Sequence, residues 1–253
     1  MKFLVGRFGA ISLLTSVSLL SACGGTSSYS YVKFIHASAG APSVDVKIGS
    51  TFAAQGAAFG TATSMYAKVP AETNEKIQVF AAGKDTSAVL STNQTLVKNQ
   101  YYTVLALNTP AKLQAAIEND DLTAPTSGDC KLRVVHASTL AGPVDVYVTA
   151  PGVSITDPKN PVTPVLSSFT FGTVTKYLEV PAGSYEVRVT VAGDPSTVAI
   201  DTGAAGVPLT AGDIYTAVAL DPNPSSNPPG TAPTLLLTQD QPVTGVTPMA
   251  PAM

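Results

Sequence analysis

The sequence predicts an all-β protein built as two tandem antiparallel β-sandwich domains of about seven strands each. Three observations carry that expectation. Leu132–Val148 (LRVVHASTLAGPVDVYV) repeats Val32–Ile48 (VKFIHASAGAPSVDVKI), with His, Ala, Ser, Ala, Val, Asp and Val at matching places. Apolar and polar residues alternate with period two. Val44, Val46 and Ile48 alternate with Asp45 and Lys47, and Tyr185, Val187, Val189 and Val191 with Glu186, Arg188 and Thr190. This is the pattern of half-buried strands rich in β-branched residues. The chain also holds 20 Gly and 20 Pro, which suit many turns, and no long stripe with helical spacing and caps.

The match continues beyond the opening block. FGTATSMYAKVPA (Phe59 to Ala71) pairs with FGTVTKYLEVPA (Phe171 to Ala182), and LVKNQYYTVLALN (Leu96 to Asn108) with LTAGDIYTAVALD (Leu209 to Asp221). Three blocks in one order establish a duplication. In the first copy strands are expected near 31–37, 44–49, 63–69, 76–82, 87–92, 101–107 and 113–118. In the second they fall near 131–137, 144–149, 174–180, 185–192, 197–201, 214–220 and 233–238. The domains are then 31–120 and 131–240, joined by a polar linker at 121–130. The remainder, 241–253, is Pro-rich and reads as a flexible tail.

Leu209-x-x-Gly212-Asp213-x-Tyr215 precedes the sixth strand of the second copy, with Leu96 and Tyr102 at the equivalent places in the first. This looks like the tyrosine corner of immunoglobulin-like sandwiches, in which the Tyr hydroxyl bonds back to nearby backbone. Tryptophan is absent and no cysteine pair spans a domain, so the likeness is to the general sandwich.

Residues 1–22 have the layout of an export signal: Lys2 and Arg7, an apolar run from Ile11 to Leu20, then Leu20-Ser21-Ala22-Cys23. The run is too short to cross a bilayer. The ending resembles the bacterial lipobox, which implies diacylation, with palmitate among the acyl groups, at Cys23. Residues 23–30 would be a tether. Several acyl chains anchor far better than one, each buried CH₂ adding about 0.8 kcal/mol. Gly24 after the Cys implies, by the same resemblance, the outer membrane of a diderm cell, with the domains extracytoplasmic.

Net charge is −3 and charged residues make up 12% of the chain, without a basic run, so nucleic acid is excluded as a partner. His36 and His136 are the only histidines, each followed by a Ser (Ser38, Ser138) and then an Asp (Asp45, Asp145). If the first two strands formed a hairpin, His and Asp could meet as a metal site or an acid–base pair. One His and one Asp fall short of the three or four ligands zinc takes. The structural alternative is that these residues satisfy neighbouring polar groups, as buried polar groups usually do. No catalytic triad, nucleophile elbow or cofactor motif occurs. Cys130, left once Cys23 takes lipid, is either a thiol that reacts or links two chains, or an inert, partly buried one. Tyr29, Tyr31, Tyr101 and Tyr102 are candidates for a ligand face or for the core.

The paired V-x-H-A-S…V-D-V blocks, with V-P-A and Y-T-x-x-A-L behind them, resemble the DUF4397 family over nearly all of 31–240. The resemblance implies extracytoplasmic bacterial β domains, often duplicated and often on lipoproteins, with no assigned activity. The expectation is a membrane-anchored envelope lipoprotein, not an enzyme, acting as a structural or interaction module for other envelope proteins. The alternative is a glycan- or metal-binding module using the repeated His/Asp positions.

Overall fold

The computed structural model describes residues 28–224 and 229–251. The export signal, Cys23 and most of the tether lie outside the described residues. The first repeat contains β1 (Tyr29–His36), β2 (Val44–Ile48), β3 (Thr51–Ala57), β4 (Thr61–Ala62), β5 (Ala67–Pro70), β6 (Asn74–Ala81), β7 (Leu90–Thr95), β8 (Tyr101–Leu107) and β9 (Gln114–Asp120). The second contains β10 (Asp129–His136), β11 (Val144–Thr149), β12 (Leu166–Phe169), β13 (Leu178–Pro181), β14 (Gly183–Val191), β15 (Asp194–Asp201), β16 (Val207–Leu209), β17 (Ile214–Leu220) and β18 (Thr234–Gln239).

Each repeat is a sandwich of two sheets. The front sheet of the first repeat runs β4–β1–β8–β9, with β5 also on β1, and its back sheet runs β3–β2–β6–β7. The second repeat follows with β13–β10–β17–β18 in front and β12–β11–β14–β15 behind. One pair in each front sheet departs from the antiparallel expectation. β1 runs parallel to β8 (Tyr31 opposite Tyr101), and β10 parallel to β17 (Lys131 opposite Ile214). The first and second strands of each repeat therefore lie in opposite sheets, and the hairpin that would join His36 to Asp45 does not form.

Of the expected strand at 63–69 only the end forms, as β5, with the short β4 just before the expected start; both pair with β1. The short β16 escapes the sequence reading, and so do β3 and β12. TFAAQGA lacks large alternating residues, and both strands pair with β2 or β11 across register shifts. β1 and β10 begin at Tyr29 and Asp129, inside the segments read as tether and linker. Ser30 opposite Val69 and Cys130 opposite Val180 continue the ladder there.

Inside the first sandwich, Val32, Phe34 and Val104 of the front sheet meet Val46, Ile48, Ile77 and Val79 of the back. The opposite face of the front sheet is also apolar. Ile35, Ala37, Leu105 and Leu107 pack on Val135, Ala137, Val218 and Leu220 of the second repeat. The two front sheets lie face to face, and the molecule is four sheets deep with one shared central layer. β8 and β17, buried at every position, read as continuous apolar runs for this reason. The tyrosine corners form as the sequence implies: Val97 N–H donates to Tyr102 Oη at 3.0 Å, and Thr210 N–H to Tyr215 Oη at 3.2 Å.

Besides its own core, each repeat contributes one face to the cluster across the joint, which is complete only when both are folded. The two repeats are expected to unfold in one calorimetric transition. Leu105→Ala, whose side chain is fully buried between them, should lower stability by about 2–5 kcal/mol without splitting that transition.

Candidate functional site

The recurring polar residues fall into two groups. His36 and His136 end β1 and β10 fully buried. Their Nε2 atoms lie 3.1 Å from the carbonyls of Pro42 and Gly142. A carbonyl only accepts, so Nε2 carries the proton, and in the first repeat Nδ1 accepts from Ser38 N–H at 3.3 Å. Each ring fastens the loop that carries the chain from the front sheet to the back sheet. Burial holds both imidazoles below their ordinary pKa, against the opposing pull of those carbonyls.

The aspartates sit on the outer face of the back sheets and act as loop pins. Asp45 accepts from Gly56 N–H at 2.6 Å and Gly83 N–H at 2.9 Å. Asp145 accepts from Ser168 N–H and Gly193 N–H, both at 2.8 Å. All four donors have left-handed backbone, φ between 50° and 78°, so one carboxylate fixes two strained turns in each repeat. His and Asp thus act apart, and no group of three or more metal-ligating side chains exists among the described residues. Ser138 donates to Asp221, which also accepts from the N–H groups of Thr139 and Leu140. Although burial pushes the Asp221 carboxyl up, these bonds hold it below its ordinary pKa. In the first repeat Asn108 holds the sequence position of Asp221, and the Ser38 hydroxyl is buried without a partner among the described residues. Cys130 is fully buried, 3.5 Å from the Val180 carbonyl, and burial raises its thiol pKa. Tyr102 is a corner residue, while Tyr31 and Tyr101 belong to an aromatic cluster at the end of the joint.

The second group went unseen in the sequence. Lys33 and Arg133 hold equivalent places in β1 and β10, each 1% exposed and facing the other repeat. Arg133 Nη1 binds Asp120 Oδ1 of the first repeat at 2.6 Å, while Lys33 Nζ binds Asp240 Oδ1 of the second at 2.8 Å. Each cation therefore reaches the carboxylate that closes the last strand of the opposite repeat. Each carboxylate is then completed from its own repeat: Asp120 by Tyr66 (2.7 Å) and Thr103 (2.6 Å), Asp240 by Tyr177 (2.8 Å) and Thr216 (2.5 Å). Lys33 spends its remaining donors on Thr238 Oγ1 and the Gln239 carbonyl, and Arg133 on Thr103 and Thr216. Arg133 also lies 4.5 Å above the Tyr177 ring. The reciprocity is that of an isologous interface, here between two copies on one chain.

Burial raises the Asp120 carboxyl above its ordinary pKa, with the Arg133 charge pulling the other way. Burial and the nearby aspartates raise Tyr66 and Tyr177 well above theirs, so both stay neutral donors. Every side-chain nitrogen of Lys33 and Arg133 donates to an acceptor in the seam. A sequence signal existed: a cation inside an apolar strand, twice at one place (VKF and LRV), and an Asp ending each copy. A charge there must be buried with a partner. Beside the seam a cleft of about 530 Å³ opens, lined by Glu118, Asn119, Asp121, Thr175, Lys176 and Tyr177.

The sequence profile of DUF4397, a domain of unknown function, matches residues 30–147 and 149–247. The chain belongs to the DUF4397 family. Together the two matched segments span both sandwiches, the first running on through β10 into β11 of the second. No curated protein matches the chain. Among solved structures, one described as alpha-glucan recognition by family 41 carbohydrate-binding modules from streptococcal virulence factors is 11% identical. It covers 65% of this chain and 81% of that one, with a TM-score of 0.21, a likeness too slight to bear on function.

Arg133→Met leaves Asp120 buried without its charge partner and should cost about 3–5 kcal/mol by urea denaturation. Arg133→Met with Asp120→Leu should recover most of that loss, since removing both charges strands neither. The histidines set a pH window. Their folded pKa lies below the unfolded 6.5, so their contribution is complete above pH 6.5 and lost as pH falls through the folded value. Melting temperature should drop on acidification below pH 6.5, and less steeply in His36→Asn/His136→Asn.

Proposed function

We propose that this protein is a lipid-anchored envelope lipoprotein whose fused double sandwich is a non-catalytic structural and interaction module. One observation carries the reading: the conspicuous polar residues that recur in both repeats are engaged inside the fold. The histidines and aspartates hold loops, and the cation–carboxylate pairs lock the repeats together. The lipobox-like segment ending at Cys23 supports the anchor, and the acidic surface without a basic run supports a partner other than nucleic acid. The buried His and Asp positions give no support to a glycan or metal site built on them. A rigid body of this kind suits a spacer or a docking platform, because its two units present their surfaces at a fixed angle.

Growth with labelled palmitate tests the anchor. Label should appear on the wild-type chain and vanish in Cys23→Ser, with the chain leaving the membrane fraction. An unlabelled wild-type chain recovered in the soluble fraction overturns the proposal.

A further inference from the structure

The C-terminal segment, expected to be flexible, has a defined seat at one end of the joint. Val243 and Val246 pack against Tyr31, Tyr66 and Tyr101, with Leu122 and Ile214 beneath. Tyr31 and Tyr101 stack at 4.9 Å between centroids, and Tyr66 meets Tyr101 edge-on at 5.1 Å. The segment folds into a β-turn here. Val246 N–H donates to the Val243 carbonyl at 3.0 Å, and Gly245 takes φ +82°, which a side chain would strain.

The cradle reads main chain. Val243 N–H donates to Tyr101 Oη at 3.2 Å, and Gln100 Nε2 donates to the Ala250 carbonyl at 3.3 Å. Two side chains bonded to backbone groups, with apolar anchors set on aromatic faces between them, is the chemistry of peptide recognition. Pro242, Pro248 and Pro251 restrict the free segment and lower the entropy lost on seating it. The tail does not exhaust the site. Gln100 is 2% exposed, and its Oε1 is buried with no hydrogen-bond partner among the described residues, so one acceptor at the cradle meets no donor from the tail.

We propose that the tyrosine cradle is a binding site for a short Val-x-Gly-Val turn flanked by prolines. The chain's own tail fills it in cis, and a segment of a separate protein, supplying a donor to Gln100 Oε1, replaces the tail in trans. Tethering gives the tail a millimolar effective concentration, so a partner must outbid it and the site stays closed to weak ligands. The cradle lies within the described sandwich body and does not depend on the lipid anchor, so the two proposals fail separately.

The probe is a fluorescent peptide of residues 241–253, QPVTGVTPMAPAM. The receptor is the full chain carrying Val243→Asp and Val246→Asp, which ejects the tail. Anisotropy should show this variant binding about tenfold or more tighter than the wild type, whose site is filled. The same peptide with Gly245→Val should bind about tenfold or more weaker. Equal affinity for wild type and variant, when the variant keeps wild-type circular dichroism, overturns the proposal. Should the variant misfold, excess unlabelled peptide on wild-type protein must speed exchange of the Val243 amide; an unchanged rate at millimolar peptide overturns it equally.

Discussion

Two buried ion pairs, crossed between the repeats, govern this molecule. A charged side chain in a dry interface is costly unless a partner of opposite sign and enough hydrogen bonds surround it. Here each repeat brings the cation and takes the carboxylate of the other, so neither unit can bury its own charge alone. Lys33 without Asp240, or Asp120 without Arg133, would be an unpaired ion under an apolar layer. The seam acts as a register device. The central leucines and valines would tolerate sliding, whereas the reciprocal pairs fix one alignment.

That constraint explains the lengths to which the fold goes elsewhere. The front sheets carry apolar residues on both faces because each contributes to two cores. The back sheets have one free face, and there Asp45 and Asp145 are spent on backbone amides of left-handed turns. The histidines occupy the passage between the two sheets, where a loop must leave a buried strand and its carbonyl needs a donor. Polar residues that recur in both copies are thus of two kinds, those that hold a loop within a repeat and those that hold the repeats to each other.

The repeat divergence is informative in the same terms. Asp221 gathers four donors around the Ser138 turn, while the first repeat has Asn108 at that sequence position and an unpartnered Ser38 hydroxyl. Lys33 and Arg133 solve one problem with different head groups. The point charge of lysine takes three acceptors along β18, and the planar guanidinium bridges two threonines and stacks on Tyr177. A duplicated frame has kept its interface geometry while its surfaces drifted, and the surviving asymmetry places the polar cleft beside Arg133.

The duplication, the all-strand character and the tyrosine corners were legible in sequence, because periodicity and spacing are local properties of the chain. β3 and β12 were not, since small residues and register shifts erase the alternation. The fate of His36 and Asp45 also lay beyond the sequence: adjacency along the chain suggested a pair, and the crossover between sheets separated them. The seam needed the tertiary structure most of all. Which charge meets which depends on how two folded units face each other, and the partners lie 13 residues apart in one pair and 207 in the other. Local pattern decides which residues become strands and which faces are apolar. Only packing decides what those faces meet.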